Sequence, residues 1–378
     1  MNDQLPDRAL ALRSLVTESS AVEVSVEDDE VQRPGPDQVV VRVEAAPINP
    51  SDLGLLFAGA DLDRASASGT PERPVVTAPL TERATRAAAA RLGRSMPVGN
   101  EGAGTVVAAG SGDAARSLLG KVVALAGGGM YSQYRTVDAG ACLELPEGTS
   151  ASDGAASFVN PMTVLGMVET MRLEGHRALV HTAAASNLGQ MLNRVCLEEQ
   201  VPLVNIVRSP DQAKILGEAG AAHVCDSSEP GFTGGLTDAV RATSATLAFD
   251  AIGGGQMASR ILAAMEAVAS EGAEFSRYGS TVHKQVYVYG GLDRGPTELT
   301  RGYGMAWGVG GWLLTSFLRR VGPETLAAMR RRVAAGLATT FASHFDRVVP
   351  LAKALDLSAV DVYGRQATGK KYLIAPNG

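Results

Sequence analysis

The chain has 378 residues, 45% hydrophobic and 20% charged, a globular composition long enough for two domains with ample cores. Its formal net charge of −6 speaks against nucleic acid as the main partner, since binding a phosphate backbone needs a basic face that releases counterions. Three well-separated cysteines, Cys142, Cys196 and Cys225, can assemble neither a disulfide framework nor a four-thiolate zinc site, and no stretch approaches the roughly 18 apolar residues of a membrane span.

Met1 to Leu12 mixes acidic and basic residues without an apolar run, so secretion is not expected and a cytoplasmic protein is. Aromatic residues are only 5% while glycine is abundant, which favours closely packed α/β layers over an aromatic-rich sandwich. Gln38 to Ala45, with Val39, Val40, Val41 and Val43 broken by Arg42 and Glu44, reads as a strand, as do Gly102 to Val107 and Lys121 to Ala126. Turns at Pro34-Gly35-Pro36 and Gly127-Gly128-Gly129 fit a small barrel. Pro79 to Arg94 departs from that pattern, because the run Ala87 to Ala90 beside Glu82, Arg83, Arg86 and Arg91 favours a helix. A helical insertion over about residues 60–96 is expected, either as a solvated surface helix or as a lid over a cleft.

After Ser157 the period changes to alternating strand and helix. Strands are predicted at Arg177 to His181, Val201 to Val207, His223 to Cys225, Thr246 to Phe249 and Gln285 to Tyr289, with helices at Leu188 to Glu199, Gln212 to Ala219 and Gln256 to Ala269. Such alternation implies parallel pairing with right-handed crossovers, hence a doubly wound, Rossmann-type sheet.

Between the first of these strands and its helix lies Ala185-Ser186-Asn187-Leu188-Gly189-Gln190, whose small residues let a pyrophosphate approach the backbone at a helix N-terminus. Only Gly189 remains of a G-x-G-x-x-G pattern, so the loop by itself equally suits an ordinary strand-to-helix turn. The second strand adds to it by ending at Val207-Arg208-Ser209, with a guanidinium where NAD-binding folds place an acid on the ribose. Arg208, assisted by Ser209 and Lys214, predicts a 2′-phosphate and therefore NADPH. Tyr289, Gly290 and Gly291 end the last predicted strand and either leave room for a nicotinamide or form a plain turn.

These residues, together with Asn49-Pro50-Ser51-Asp52, Gly99-Asn100-Glu101-Gly102, Asn160-Pro161-Met162-Thr163 and Thr368-Gly369-Lys370, resemble the medium-chain dehydrogenase/reductase superfamily in its zinc-independent quinone oxidoreductase and enoyl reductase branches. The resemblance implies a GroES-like β-barrel catalytic domain over residues 1–156, a Rossmann domain over 157–315, a return of 316–378 to the barrel domain, and NADPH in a cleft between the domains. Asn49, Asn100 and Asn160 stand where zinc-dependent members carry cysteine, histidine and cysteine ligands, and a neutral amide is a poor substitute, so no metal is expected. The resemblance also implies that Asn49, Asn160 and Thr163 approach the nicotinamide, that Gly290 and Gly291 line its other side, that Trp312 and Lys370 close the pocket, and that the chain forms a homodimer through the strand near Gly308 to Leu314.

The expected chemistry is hydride delivery to a quinone or an α,β-unsaturated carbonyl, with Asn49 as hydrogen-bond donor to the developing oxyanion and Tyr131, Tyr278 or water as proton source. Two other readings stay open: an NADPH-binding protein without turnover, and an enzyme of the alcohol dehydrogenase type. A second insertion, Ser270 to His283, is expected to reshape the substrate pocket.

Overall fold

The computed structural model describes residues 5–378, which fold as two compact units. The first comprises the described residues up to Val159 together with Arg330–Gly378, and the second is Asn160–Met329.

The first unit is built around the strand Gln38–Pro47. Val39, Val41 and Val43 enter the main core beside Leu12, Val24 and Val76, while Val40 points the other way into a small cluster with Ala9 and Val31. A strand with valines on both faces is buried on both, which is why its pattern is nearly continuous rather than alternating. It pairs antiparallel with Glu101–Ala109 along one edge, and with Tyr134–Asp138 and then Tyr372–Ile374 along the other. A second, five-stranded sheet runs Ser66–Gly69, Pro74–Pro79, Ala21–Glu30, Arg8–Val16 and Ser95–Pro97 in spatial order.

The expected helical insertion is half strand. Ser66–Gly69 and Pro74–Pro79 form a hairpin whose second arm pairs with Ala21–Glu30, placing Val76 opposite Val24 and burying both. The β-branched run Val75-Val76-Thr77 outweighs the helical signal of the alanines that follow. Helix is confined to Glu82–Ala87, capped by the Thr81 hydroxyl, and to single turns at Leu62–Arg64 and Ala89–Arg91.

Arg91 ties this segment down. Its Nη1 donates to the Leu55 carbonyl at 2.8 Å and its Nη2 to Ser14 Oγ at 2.8 Å, while Ser14 Oγ donates to the Leu56 carbonyl. Leu55 and Leu56 belong to the last turn of the helix Pro50–Phe57, where carbonyls lack partners within the helix. The insertion is thus a brace under that helix.

The second unit carries six parallel strands in the spatial order His223–Asp226, Leu203–Val207, Leu179–His181, Leu247–Asp250, Lys284–Val288 and Trp307–Gly311. The order reverses between Leu179–His181 and Leu247–Asp250, so the crevice at the carboxyl ends of those two strands is where such sheets take ligands. This unit runs on past residue 315 to Met329, because Phe317 of the helix Leu314–Arg320 packs on Trp312 with ring centres 5.7 Å apart.

The segment Ser270 to His283 follows the helix Met257–Ala269 and precedes the strand Lys284–Val288, which puts it at the amino ends of the strands. Glu266 anchors it, accepting from Ser280 N and Ser280 Oγ at 2.7 Å each and pairing with the buried ammonium of Lys284. It cannot reshape a pocket at the opposite, carboxyl edge, and the expectation that it does so is corrected. Among the described residues no helix is long and apolar enough to cross a membrane.

Replacing Arg91 by alanine should lower unfolding stability by about 1.5–3 kcal/mol in urea titrations, the scale of hydrogen bonds made by a charged group. Arg91→Lys should recover only part of it, since one ammonium lacks the fork that reaches both Leu55 and Ser14.

Candidate functional sites in the two units

In the second unit the loop after Leu179–His181 is tightly built. Ser186 caps the helix Asn187–Glu198, its Oγ accepting from Gly189 N at 3.1 Å. A Cβ on Gly189 would lie 2.2 Å from the Ala184 carbonyl oxygen, so glycine is obligatory there. Ala184 and Ala185 pack on Val207 and Leu216, and Gln190 Nε2 holds the Ala185 carbonyl at 2.9 Å. Leu188 lies in the first turn of the same helix, beside Asn187.

One strand over, Arg208 follows Leu203–Val207 at the same carboxyl edge. Its side chain is exposed, its backbone N–H donates to Gln212 Oε1 at 3.1 Å, and its guanidinium has no hydrogen-bond or ionic partner among the described residues. Ser209 caps the next helix, Pro210–Glu218, whose exposed Lys214 makes only a 3.9 Å contact with Glu218.

A buried lock joins the strands at the reversal point. Thr182 Oγ1 donates to Asp250 Oδ1 at 2.7 Å and accepts from Ala251 N, while the Asp250 carboxylate accepts from Ile252 N and Gly253 N. His181 Nε2 meets the Tyr289 hydroxyl at 2.7 Å, and its Nδ1 is buried without a partner. Burial pushes the imidazole down to about 3, so it is neutral, and raises the Tyr289 phenol above its usual range. Sequence reasoning passed over His181, Thr182 and Asp250 because their meaning lies in a contact between strands almost 70 residues apart.

Gly290 is glycine because a Cβ would come within 2.5 Å of the Ala251 carbonyl, whereas Gly291 faces open space. Trp312 does not close a pocket. Its indole Nε1 donates to Thr170 Oγ1 at 3.0 Å and its ring packs edge-on against Phe249 in the core of the unit. Asn160 and Thr163 are buried in the first turns of the helix Val159–Leu173. Tyr278 stands exposed at the amino ends of the strands, its ring covered by the Arg277 guanidinium, and is withdrawn as a proton donor.

The first unit holds a separate buried polar cluster. Pro47-Ile48-Asn49 ends the central strand, and Asn49 is the N-cap of Pro50–Phe57 with Pro50 preset for the first helical position. The Asp52 carboxylate accepts from Asn49 N and from Asn100 N, each at 2.8 Å. Glu101 Oε1 accepts from Asn49 Nδ2 at 2.8 Å, and its Oε2 from the N–H groups of Phe158 and Val159 at 2.9 and 2.8 Å. Burial pushes Asp52 up to about 7. It also raises Glu101, against the opposing pull of Lys371 and of the donors at its oxygens.

This geometry fixes how the Asn49 side chain is held. One N–H of its amide is given to Glu101 and its carbonyl Oδ1 is buried without a hydrogen bond, so the side chain is held by Glu101 rather than left free to turn. The role expected of Tyr131 is corrected: its ring is wholly buried against Gly99 and its hydroxyl donates to the Pro47 carbonyl at 3.0 Å. Lys370 points outward to Asp346 at 3.4 Å. The lysine turned inward is its neighbour Lys371, whose Nζ is buried without a hydrogen bond, 5.4 Å from the Phe345 ring centre.

Residues 35–147 match the alcohol dehydrogenase GroES-like domain family. The synaptic vesicle membrane protein VAT-1 homolog of Rattus norvegicus is 30% identical over 200 residues, 51% of this chain and 41% of that protein. A quinone oxidoreductase of Pseudomonas aeruginosa is 27% identical over 159 residues, 41% of this chain and 49% of that protein. The chain thus spans less than half the length of these two relatives. Among solved structures, a Mesorhizobium loti protein designated an NADPH:quinone reductase superposes with a TM-score of 0.74 at 27% identity, covering 99% of this chain and 100% of that one.

The neutral His181 gives a pH signature. The unfolded chain takes up a proton below the ordinary value of 6.5 and the folded chain only near 3, so stability present above 6.5 is lost as pH falls through that window. Between about pH 7.5 and pH 5, urea unfolding of the native protein should lose ~2 kcal/mol more than that of His181→Gln.

Proposed function

We propose that the chain, which matches the alcohol dehydrogenase GroES-like domain over residues 35–147, belongs to the medium-chain dehydrogenase/reductase superfamily and is an NADPH-dependent oxidoreductase that reduces a quinone or an α,β-unsaturated carbonyl without a catalytic metal. The observation that carries the reading is Arg208, an exposed guanidinium without a partner at the carboxyl edge of the second parallel strand. A phosphate there receives two parallel charge-assisted hydrogen bonds, while a bare ribose hydroxyl offers the fork nothing to grip.

Arg208 and Ser209 would hold the 2′-phosphate, the Asn187–Gly189 helix start the pyrophosphate, and the open face of Gly291 the nicotinamide. When bound, NADPH supplies the hydride. The protein's part is to fix the strand ends through Thr182 and Asp250 and to keep His181 uncharged beneath them.

The metal-free reading rests on donor chemistry. Asn49 and Asn100 have their amide nitrogens turned to Glu101 and Ser51, and neither position offers a thiolate or an imidazole. Without a Lewis acid to polarise a simple ketone, an activated acceptor is the substrate that takes hydride directly. With Tyr131 spent on Pro47 and Tyr278 at the wrong end of the strands, water is the proton source in this reading. Cys142, Cys196 and Cys225 form no disulfide, which fits a cytoplasmic setting.

A homodimer belongs to the same reading. Trp307–Gly311 is an edge strand without charge or proline to protect it, flanked by Met305 and Leu313, which are 74% and 60% exposed. Antiparallel pairing about a two-fold axis at Val309 would set Met305 of one copy against Leu313 of the other.

The activity is tested by following NADPH oxidation through its near-ultraviolet absorbance against a panel of quinones and enones. Turnover supports the reading, tight binding with no turnover across the panel favours a binding protein, and stoichiometric zinc in the purified protein sinks the metal-free mechanism. NADPH should bind about tenfold or more tightly than NADH, and Arg208→Ala should remove most of that preference. In sedimentation, the double variant Met305→Asp with Leu313→Asp should run as a monomer. A dimer would place the interface elsewhere.

A further inference from the structure

The first unit contains a cavity of about 260 Å³ between the strand Arg8–Val16 and residues 129–136, built wholly from that unit's own residues. By strand alternation Ala9, Ala11 and Arg13 share the face toward it, while Leu10 and Leu12 turn to the main core, so its floor is two methyl groups. Leu12 N donates to the Tyr131 carbonyl at 2.8 Å and Gln133 N to the Leu10 carbonyl at 2.9 Å, which joins floor to wall. None of its lining residues has a part in the NADPH-dependent reading above.

Two guanidinium groups border the cavity at Pro97. Arg13 lies opposite Pro97 in the strand pairing, and its donors are taken: Nη1 by Asp29 at 2.8 Å, Nε and Nη2 by the Ser95 hydroxyl and carbonyl at 3.0 and 2.7 Å. Arg135 is held differently. Its Nε donates to the Gly128 carbonyl at 3.1 Å, and the group lies over Gly129, where a Cβ would stand 3.2 Å from Arg135 Cζ and 3.5 Å from Pro97 Cβ. Neither Nη of Arg135 has a hydrogen bond or ion pair among the described residues. A guanidinium tethered through Nε alone presents its two Nη groups as a planar fork, the shape that a carboxylate matches.

The charges of the lining leave that fork unanswered. Asp29 offsets Arg13. Glu30, the other acid of the lining, stands opposite Arg8, so its backbone is roughly 17 Å along an extended strand from the Arg13–Pro97 pair, beyond the screening length at physiological salt. The Tyr134 hydroxyl, also at the wall, has no partner among the described residues and is a further donor.

We propose that this cavity binds a small monocarboxylate, its carboxylate on the Arg135 fork and its short apolar body over Ala9 and Ala11. One free guanidinium answers one negative charge, and a floor of methyl groups beside Pro97 suits an apolar body better than a second charged group. The carboxylate fills both Nη sites with parallel charge-assisted hydrogen bonds, which an uncharged amide oxygen cannot match.

Benzoate is the probe and benzamide its uncharged counterpart. Isothermal titration of the full chain, without nucleotide, should give a benzoate Kd of about 1 mM or tighter. Benzamide should bind at least about tenfold more weakly, and Arg135→Gln should weaken benzoate by about tenfold or more. Arg135→Lys keeps the charge but not the fork, and should weaken benzoate about threefold or more. In methyl NMR spectra of the native protein, the Ala9 and Ala11 signals should shift as benzoate is added.

Absence of benzoate binding, equal binding of benzamide, unmoved Ala9 and Ala11 methyls, or full benzoate affinity in Arg135→Gln each overturns the proposal. So does a benzoate site that is lost in Arg208→Ala and kept in Arg135→Gln. Inorganic phosphate that displaces benzoate at equal concentration would make this a general anion site and overturn the carboxylate assignment. Should Arg135→Gln fail to fold, Arg135→Lys and the methyl signals of the native protein decide. Because NADPH takes no part in these measurements, their outcome is separate from that of the functional reading.

Discussion

A carboxylate removed from water must have its charge and its lone pairs answered by the protein, or it will not stay ionised there. Glu101 meets that demand at the junction of the central strand, the helix Pro50–Phe57 and the C-terminal strand Tyr372–Ile374. Its two oxygens divide the work, one given to the backbone at Phe158 and Val159 and the other to a side-chain amide. Asp52 repeats the pattern one turn into the helix, bridging Asn49 N and Asn100 N. The segment Asn49-Pro50-Ser51-Asp52 is therefore clamped from two directions before any ligand arrives, and preorganisation of this kind is what binding and catalysis draw on.

The second unit meets a different constraint by similar means. Parallel strands end in unpaired backbone groups at one edge, and a ligand site there needs those ends held at fixed heights. Thr182 and Asp250 do so across the reversal point with four hydrogen bonds, and the Tyr289 hydroxyl on His181 extends the hold toward the next strand. The loop that follows His181 is left with small side chains because the Ala184 carbonyl and Gly189 lie in contact.

Periodicity and end signals made the second unit readable from its sequence. Strands such as Leu203–Val207 are apolar runs broken only by Asn205, their helices carry Ser186 and Ser209 as caps, and Arg208 sits at a fixed offset from Gly189. What the sequence concealed were choices made by distant partners. Nothing local distinguishes Lys370 from Lys371, and only pairing with Gln38–Pro47 turns the second one inward. How the Asn49 amide is held depends on an acid 52 residues away. The hairpin at Ser66–Pro79 was hidden because its strand signal is short and an alanine-rich helix signal follows it directly. Tyr131 and Tyr278 share a residue type with proton donors, yet one is spent in the core and the other stands at the amino ends of the strands.

That last placement has a use outside catalysis. The segment Ser270 to His283 is stapled at its base by Glu266, Ser280 and the Lys284 ammonium, while Phe275 at its crest is 96% exposed. The crest stands at the amino ends of the strands, and the length of the strands lies between it and the carboxyl edge. Among the described residues it is a position where a reporter dye or an affinity handle can be grafted onto the chain while the nucleotide edge keeps its native geometry.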